Sequence, residues 1–243
     1  MNIINKTILI TGGTSGIGLE LVRKLAPNNQ LIVISRTGQL PNDLMQDDQS
    51  IELYHADIGE KVALEYASDC VQRDHSKLDV LINNAAIQNT PEFLHDDFNY
   101  DGIESEVKIN FTAICHLTYS FLPLLLAADN GVILNVNSGL AIAPKQSSAV
   151  YCATKSALHT FSTSLRYQLQ KTSIDVKQVF LPLVDTAMTD GRGSGKLKAD
   201  TVAEEIIEVI YSDKHIGDIG KVKLLRLINY LAPAIAARIM RDG

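Results

Sequence analysis

Short apolar runs rich in β-branched residues recur along the first three quarters of the chain. They lie at residues 7–11, 31–35, 51–56, 78–83, 131–137 and 174–180. Most of these runs carry apolar residues on both faces, which is typical of buried strands in a parallel sheet. The pattern therefore predicts six buried, parallel strands.

Longer stretches with helical spacing separate the strands, at residues 16–26, 60–74, 103–127 and 148–171. Alternation of strands and helices is typical of a parallel sheet with helices on both faces. We predict an α/β fold, a doubly wound Rossmann-type sheet, formed as a single domain over residues 1–243.

Two segments fall outside this alternation. Residues 187–200 hold three glycines within five positions (Gly191, Gly193 and Gly195), so we predict a mobile loop beside the substrate. Residues 221–243 are apolar with several basic residues, and we expect a helical segment there. Such a helix can cover a cleft or pack in an oligomer, which we favour, or it can lie on a membrane surface.

The composition of the chain limits the partners and the cellular compartment that we expect. The net charge of -6 gives no basic surplus, so we expect no nucleic-acid partner. Cys70, Cys115 and Cys152 have no metal-ligand spacing, so we expect free thiols in a reducing compartment and no metal site. No apolar run approaches the roughly 20 residues of a membrane span, and the start of the chain lacks a secretory signal. We therefore expect a cytoplasmic protein without an integral span.

A glycine-rich turn follows the first strand, with the sequence TGGTSGIG at residues 11–18. By itself this could be a tight turn. At the first strand–helix junction, however, such a turn lets backbone N–H groups approach a pyrophosphate at a helix N-terminus. The candidate cofactor residues in this turn are Gly12, Thr14, Ser15, Gly16, Ile17 and Gly18.

The second strand ends in Ser35 and Arg36, with no carboxylate nearby. An acidic residue there would accept the ribose hydroxyls of NAD, whereas an arginine accommodates the 2′-phosphate of NADP. A charge pair at about 4 Å and an effective dielectric near 20 is worth roughly 4 kcal/mol before desolvation. We therefore expect NADP(H) to be preferred, with NAD(H) possible; the alternative is an exposed loop arginine.

The spacing T-G-x-x-x-G-x-G, together with the chain length, resembles the single-domain branch of the short-chain dehydrogenase/reductase family. Within that family the sequences LINNAAIQ and SGLA look closest to the DltE-like bacterial oxidoreductases. The resemblance implies a homodimer or homotetramer. It also implies cofactor contacts from Asp57, Ile58, Asn84, Ala85, Ala86, Pro182 and Thr186.

Two of these positions, Asp57 and Ala86, and the neighbouring Leu183 have alternative roles or differ from the family pattern. Asp57 would meet the adenine, although an acid there also fits a helix cap or turn. Ala86 stands where the family usually has glycine and adds a methyl group near the cofactor. Leu183 also replaces a family glycine, although a leucine does not adopt a left-handed turn easily, and we expect it to narrow the space beside the nicotinamide.

Tyr151 and Lys155, in the sequence YCATK, are four apart on a predicted helix and so share a face. Alone they would fit a solvated face. Lowering a phenol pKa from about 10 towards 7 needs roughly 4 kcal/mol of phenolate stabilisation. A nearby ammonium and a nicotinamide cation can supply much of this, which would make Tyr151 a general acid or base.

Two more polar residues complete the predicted catalytic set. Ser138 ends the fifth strand, at the sheet edge where ligands bind in open α/β folds. The resemblance implies that Ser138 holds the substrate oxygen, and that Asn110 holds a water that links Lys155 to solvent. The alternative for Asn110 is a satisfied core amide.

The residues expected around the substrate are mostly apolar, with no arginine cluster. They are Gln88, Ser138, Leu140, Leu183 and Met188, with Ile142 and Val150 as further candidates. We predict hydride transfer between NADPH and a small to medium, mostly apolar ketone, aldehyde or secondary alcohol. The alternative is a catalytically idle NADP(H)-binding redox sensor.

Overall fold

A computed structural model of the chain describes residues 3–44 and 50–241, so the ends of the predicted domain and of segment 221–243 lie outside the described residues. Its strands are β1 Thr7–Thr11, β2 Gln30–Ser35, β3 Ile51–His55, β4 Val80–Asn83, β5 Gly131–Ser138, β6 Ile174–Leu181, β7 Val184–Asp185, β8 Leu197–Lys198 and β9 Ile216–Asp218. Seven of them form one parallel sheet in the order β3-β2-β1-β4-β5-β6-β9. β7 and β8 pair separately.

Helices cover both faces of this sheet. They are α1 Gly16–Leu25, α2 Lys61–Asp74, α3 Tyr100–Val107, α4 Ala113–Leu126, α5 Ala149–Leu169, α6 Ala199–Tyr211, α7 Val222–Leu231 and α8 Pro233–Arg241. One face buries apolar side chains of α1 and α6, and the other buries those of α2, α4 and α5. The doubly wound fold and the single domain are confirmed.

The six predicted strands all belong to the large sheet, and the four predicted helices form with bounds that differ by at most three residues. The structure adds α6 and the short strand β9, which the sequence pattern did not predict. It also breaks the long third helix by a π-helical turn at Lys108–Thr112, between α3 and α4.

The segment 187–200 is shorter as a loop than predicted. Leu197–Lys198 pairs with Val184–Asp185, and α6 begins at Ala199. The remaining loop carries Gly191, Gly193 and Gly195, all with positive φ. The mobility of this loop stays a prediction.

Within the described ranges, one helical stretch, Tyr100–Leu126, is long and apolar enough to cross a membrane by length and composition alone. Half of its most apolar window is buried, and Leu117 and Phe121 are fully enclosed in the core that α2, α4 and α5 form with the sheet. This burial is typical of a core helix. The expectation of no integral span stays a prediction.

Candidate active site

A cleft of about 1040 Å³ follows the carboxyl ends of the strands, where the strand order reverses between β1 and β4. Such a switch point is where ligands bind in open α/β sheets. The predicted cofactor residues all line this cleft: Gly12, Thr14, Ser15, Gly16, Ile17, Gly18, Ser35, Arg36, Asp57, Ile58, Asn84, Ala85, Ala86, Tyr151, Lys155, Pro182 and Thr186. The strand ends therefore bring together one continuous site.

The glycine turn at the head of α1 is shaped for close backbone approach. Gly16 has φ +53°, a left-handed conformation that favours glycine. A Cβ on Gly18 would lie 2.1 Å from the carbonyl oxygen of Gly12, so no larger residue fits there without moving the turn. This arrangement leaves the N-terminus of α1 open to the cleft, as a pyrophosphate requires.

Asn84 holds the turn in place. Its Nδ2 donates to the carbonyl oxygens of Thr11, at 3.0 Å, and of Gly12, at 3.3 Å. The Thr11 hydroxyl accepts in return from the backbone N–H groups of Asn84 and Ala85, both at 3.0 Å. The segment after β4 is thereby fixed to the turn after β1.

The end of β2 presents Arg36 to solvent at one end of the cleft. The hydroxyls of Thr14 and Ser35 are 2.8 Å apart, and Ser35 Oγ also accepts from the Thr37 N–H at 3.2 Å. Among the described residues, the Arg36 guanidinium makes no hydrogen bond or ion pair. It is therefore available to an anionic group of a ligand.

Asp57 forms a turn as well as part of the cleft wall. Its Oδ1 accepts from the Gly59 N–H at 2.9 Å, as the alternative interpretation of this residue expected. Asp57 and Ile58 both line the cleft, so the adenine contact stays a prediction.

Tyr151 and Lys155 lie on the first two turns of α5 and are almost fully buried. Lys155 Nζ donates to the carbonyl oxygen of Val136 at 2.9 Å and lies 5.7 Å from the centroid of the Tyr151 ring. The helix begins after Ser148, a non-glycine residue with φ +63°. The shared face predicted from the sequence is therefore present.

Burial dominates the ionisation of both side chains. It lowers the pKa of Lys155 to about 8 and raises the pKa of Tyr151 to about 12. Hydrogen bonding with Ser138 and the charge of Arg192 counteract part of the rise in the Tyr151 pKa. The protein's own groups thus do not produce the acidic phenol expected from Lys155. They keep Tyr151 protonated at neutral pH, which is the form of a proton donor.

Ser138 ends β5 beside the Tyr151 phenol. Its backbone N–H donates to Asn137 Oδ1 at 2.8 Å, and its hydroxyl accepts from the Leu140 N–H at 3.2 Å. These two contacts fix the serine at the sheet edge, with its hydroxyl in the cleft.

Asn110 lies in the π-helical turn, fully buried behind the cleft wall. Its Oδ1 accepts from the Ile87 N–H at 2.9 Å, and its Nδ2 donates to the Ile87 carbonyl at 2.8 Å and to Thr154 Oγ1 at 3.3 Å. These are the contacts of a satisfied core amide. The predicted water relay stays a prediction.

Leu183 does not need the left-handed conformation that made it an unusual replacement for glycine. Its φ is not positive, and its side chain packs over Gly193, where a Cβ would come within 2.5 Å of Leu183 Cδ2. Thr186 lies across from the glycine turn, with its methyl group 3.2 Å from the place a Cβ on Gly16 would occupy.

The match to known proteins agrees with this geometry. Residues 6–197 match the family model described as short chain dehydrogenase. The chain belongs to the short-chain dehydrogenase family. A relative from Bacillus subtilis (strain 168), an uncharacterised oxidoreductase named DltE, is 37% identical over 191 residues, which cover 77% of this chain and 75% of the relative. This short-chain dehydrogenase is therefore an NAD(P)-dependent oxidoreductase, as the sequence predicted.

Solved structures share the fold at lower identity. A short chain dehydrogenase from Burkholderia cenocepacia J2315, in complex with NADP, has a TM-score of 0.87 at 20% identity, with 99% of both chains covered. A 3-ketoacyl-(acyl-carrier-protein) reductase from Brucella melitensis, complexed with NADH, has a TM-score of 0.77 at 22% identity, with 90% of this chain and 98% of that chain covered. At these identities the likeness shows the fold.

The substrate end of the dehydrogenase cleft contains the predicted residues and several others. Gln88, Ser138, Leu140, Leu183 and Met188 line it, whereas Ile142 and Val150 do not. The additional lining residues include Lys145, Arg192, Leu225, Ile228 and Met240. Sequence reasoning missed the two cations because both lie in loops, where no periodicity indicates the direction of a side chain.

The C-terminal helices form the outer wall of this end of the cleft. Leu225 and Ile228 of α7 and Met240 of α8 face into it, as the cover-helix interpretation expected. Tyr230 and Ile235 remain exposed on the other side of the helix pair. The exposed face leaves the oligomer and membrane-surface interpretations as predictions.

Proposed function

We propose that this short-chain dehydrogenase transfers hydride between NADPH and a small to medium, mostly apolar ketone or aldehyde, or the corresponding secondary alcohol. The observation that carries the proposal is the convergence of Ser138, Tyr151 and Lys155 on one wall of the cleft that begins at the glycine turn. A proton donor, a group to hold the oxygen and a dinucleotide site are what carbonyl reduction requires.

The cleft residues have separate roles in the proposed reaction. NADPH, when bound, supplies the hydride and becomes NADP⁺. Ser138 hydrogen-bonds the substrate oxygen, and Tyr151 gives its phenolic proton to that oxygen as the alcohol forms. Lys155 has one N–H engaged by Val136 and two left for the nicotinamide ribose and for proton return from solvent.

NADPH is the proposed cofactor because Arg36 is open to the cleft and no carboxylate accompanies it at the end of β2. The structural neighbours are compatible with either dinucleotide, since one is crystallised with NADP and another with NADH. Arg36 is the residue of this chain that favours the phosphorylated form.

A cytoplasmic homodimer or homotetramer is the proposed setting. All three cysteines are free, which suits a reducing compartment. Tyr119 and Leu126 on α4 are exposed, and large apolar side chains on a helix surface suit contact with a second copy.

The test compares Tyr151→Phe with the intact protein in NADPH-dependent reduction of a panel of ketones and aldehydes. The variant keeps the ring but loses the proton, so we expect kcat to fall by roughly 100-fold or more, in line with the usual value of a general acid. The affinity for NADPH, measured by calorimetry, should stay within a few-fold.

Tyr167→Phe is the matched control, because Tyr167 lies on the same helix and is exposed to solvent. That variant should keep full turnover. Unchanged turnover in Tyr151→Phe would contradict the mechanism. Tight NADPH binding without reduction of any compound in the panel would favour the idle redox sensor.

A further inference from the structure

Two cationic side chains from separate loops line the substrate end of the cleft. Lys145 lies between β5 and α5, and Arg192 lies in the glycine-rich loop before β8. Both are half-buried and line the cleft with Tyr151. The guanidinium of Arg192 donates to Gln88 Oε1 at 3.0 Å, which fixes it on the cleft wall.

Neither cation has an anionic partner within the part of the chain that the structure describes. Lys145 Nζ has no hydrogen bond or ion pair there, and the partner of Arg192 is a neutral amide. Burial lowers the pKa of Lys145, and the charge of Arg192 lowers it further, so the two charges are near enough to repel. Uncompensated like charges in a partly buried cleft are destabilising, and an anion between them would relieve the repulsion.

The charge of the whole cleft is opposite to that of the chain. The chain carries a net charge of -6, yet the described residues that line the cleft have one carboxylate, that of Asp57, at the adenine end. The basic residues that line it are Arg36, Lys145, Lys155, Arg192 and Lys221. The proposed function uses Arg36 and Lys155, which leaves the cations at the substrate end without a role.

The cations are close to the reacting group. Lys145 and Arg192 line the same cleft as Ser138 and Tyr151, so an anionic group held by the two cations shares that cleft with the carbonyl that Tyr151 protonates. The rest of this end is apolar, with Leu140, Leu225 and Ile228 on its walls. A ligand that fits has an anionic group near its carbonyl and an apolar remainder.

We propose that Lys145 and Arg192 bind an anionic group of the carbonyl substrate, so that the substrate is an oxo acid or a ketone phosphate with an apolar body. The proposal rests on the proposed function and narrows its substrate class. A guanidinium binds carboxylate or phosphate through two parallel hydrogen bonds, and an ammonium adds a point charge.

The first experiment measures NADPH-dependent reduction of charged and neutral pairs by the full-length protein. Benzoylformate and levulinate are compared with their methyl esters, and phenacyl phosphate is compared with 2-hydroxyacetophenone. We expect at least one anion to be preferred over its neutral counterpart by roughly 10- to 100-fold in kcat/KM, through a lower KM. The preferred pair identifies the group as carboxylate or phosphate.

The second part uses Lys145→Met and Arg192→Gln, with Arg192→Lys as the conservative variant. In the first two variants the ratio of kcat/KM for the anion over its neutral counterpart should fall towards one, and Arg192→Lys should restore part of it. Arg73→Gln, an exposed arginine paired with Asp74, is the control and should keep the ratio.

Three results would overturn the proposal. Equal reduction of the charged and neutral compounds would refute it while leaving the proposed function intact. A loss of NADPH affinity in Arg192→Gln as large as the loss for the anion would assign the cations to the cofactor. If no compound is reduced, the proposed function fails, and the anion site is then tested by calorimetric titration with benzoylformate and with inorganic phosphate. Binding that Arg192→Gln weakens would support the anion site, and unchanged or absent binding would refute it.

Discussion

The buried ammonium of Lys155 predicts an unusual dependence of stability on pH. Folding lowers the pKa of this lysine from 10.5 to about 8 by burial, so the folded state disfavours its charged form. The difference corresponds to roughly 3 kcal/mol at 1.36 kcal/mol per pKa unit. Below about pH 8 the lysine is charged in both states and the whole penalty is present. It disappears as pH rises from 8 towards 10.5, so stability rises through that window.

Lys155→Met removes the titrating group and keeps a side chain of similar length. Between pH 7 and about pH 9.5, the intact protein should gain roughly 2 kcal/mol of unfolding free energy relative to the variant. The loss of the hydrogen bond to Val136 lowers the stability of the variant by a similar amount at both pH values, and so does not affect this difference. Tyr151 is present in both proteins, and its pKa in the unfolded state is about 10, so its ionisation contributes little to the difference below pH 9.5.

Urea unfolding, followed by far-ultraviolet circular dichroism, gives the free energies at both pH values. Lys61→Met serves as a control, because Lys61 is exposed on α2 and its removal should leave the pH slope of the intact protein unchanged. Parallel pH profiles for Lys155→Met and the intact protein would mean that Lys155 bears no burial penalty, contrary to this prediction.

Two further predictions concern the two ends of the cleft. Gly18→Ala places a methyl group against the Gly12 carbonyl, so we expect a loss of roughly 1–3 kcal/mol in urea unfolding and weaker dinucleotide binding by calorimetry. Unchanged values would mean that the turn is not closely packed. Arg226 on α7 pairs with both oxygens of Asp218 and stacks 4.5 Å from the centre of the Phe180 ring. Arg226→Ala removes these contacts of α7, the helix whose Leu225 and Ile228 line the substrate end, so the substrate KM should rise several-fold while the NADPH affinity stays unchanged. An equal loss of substrate and NADPH affinity would contradict a role limited to the substrate wall.

Most strands of the core sheet were predictable because they are buried on both faces, although the edge strand β3, predicted to be buried, is only half-buried. β5 and β6 each bury nearly every residue, so their pattern has one interpretation. β9 has three residues, with Gly217 in the middle, and gives no such pattern. The helix α6 buries Val202, Ile206 and Ile210 at helical spacing, a pattern that the sequence contains and that our predictions for the chain beyond residue 200 did not use.

The cofactor half of the site was predictable from topology. Residues that follow parallel strands meet at one sheet edge, which places Gly12, Arg36 and Ser138 along one cleft. Lys145 and Arg192 were not predictable, because loop side chains are oriented by tertiary contacts such as the one from Arg192 to Gln88.

The electrostatics of the site depend on packing that the sequence does not express. Spacing alone placed Lys155 beside Tyr151 and suggested that the cation would lower the phenol pKa. The burial of both side chains is the larger effect, and it raises the pKa of Tyr151 instead. The π-helical turn around Asn110 is likewise a shift in backbone hydrogen bonding that leaves no trace in the apolar pattern.

Calorimetric titration with NADPH and NADH tests whether this cleft is the NADPH site on which carbonyl reduction depends. The intact protein should bind NADPH roughly tenfold or more tightly than NADH, as a net preference of about 1–3 kcal/mol implies. Arg36→Ala should remove most of that preference, while Arg73→Ala, at an exposed site on α2, should keep it. Equal affinity for the two dinucleotides would contradict the role of Arg36, and binding of neither would contradict the account of the site as a whole.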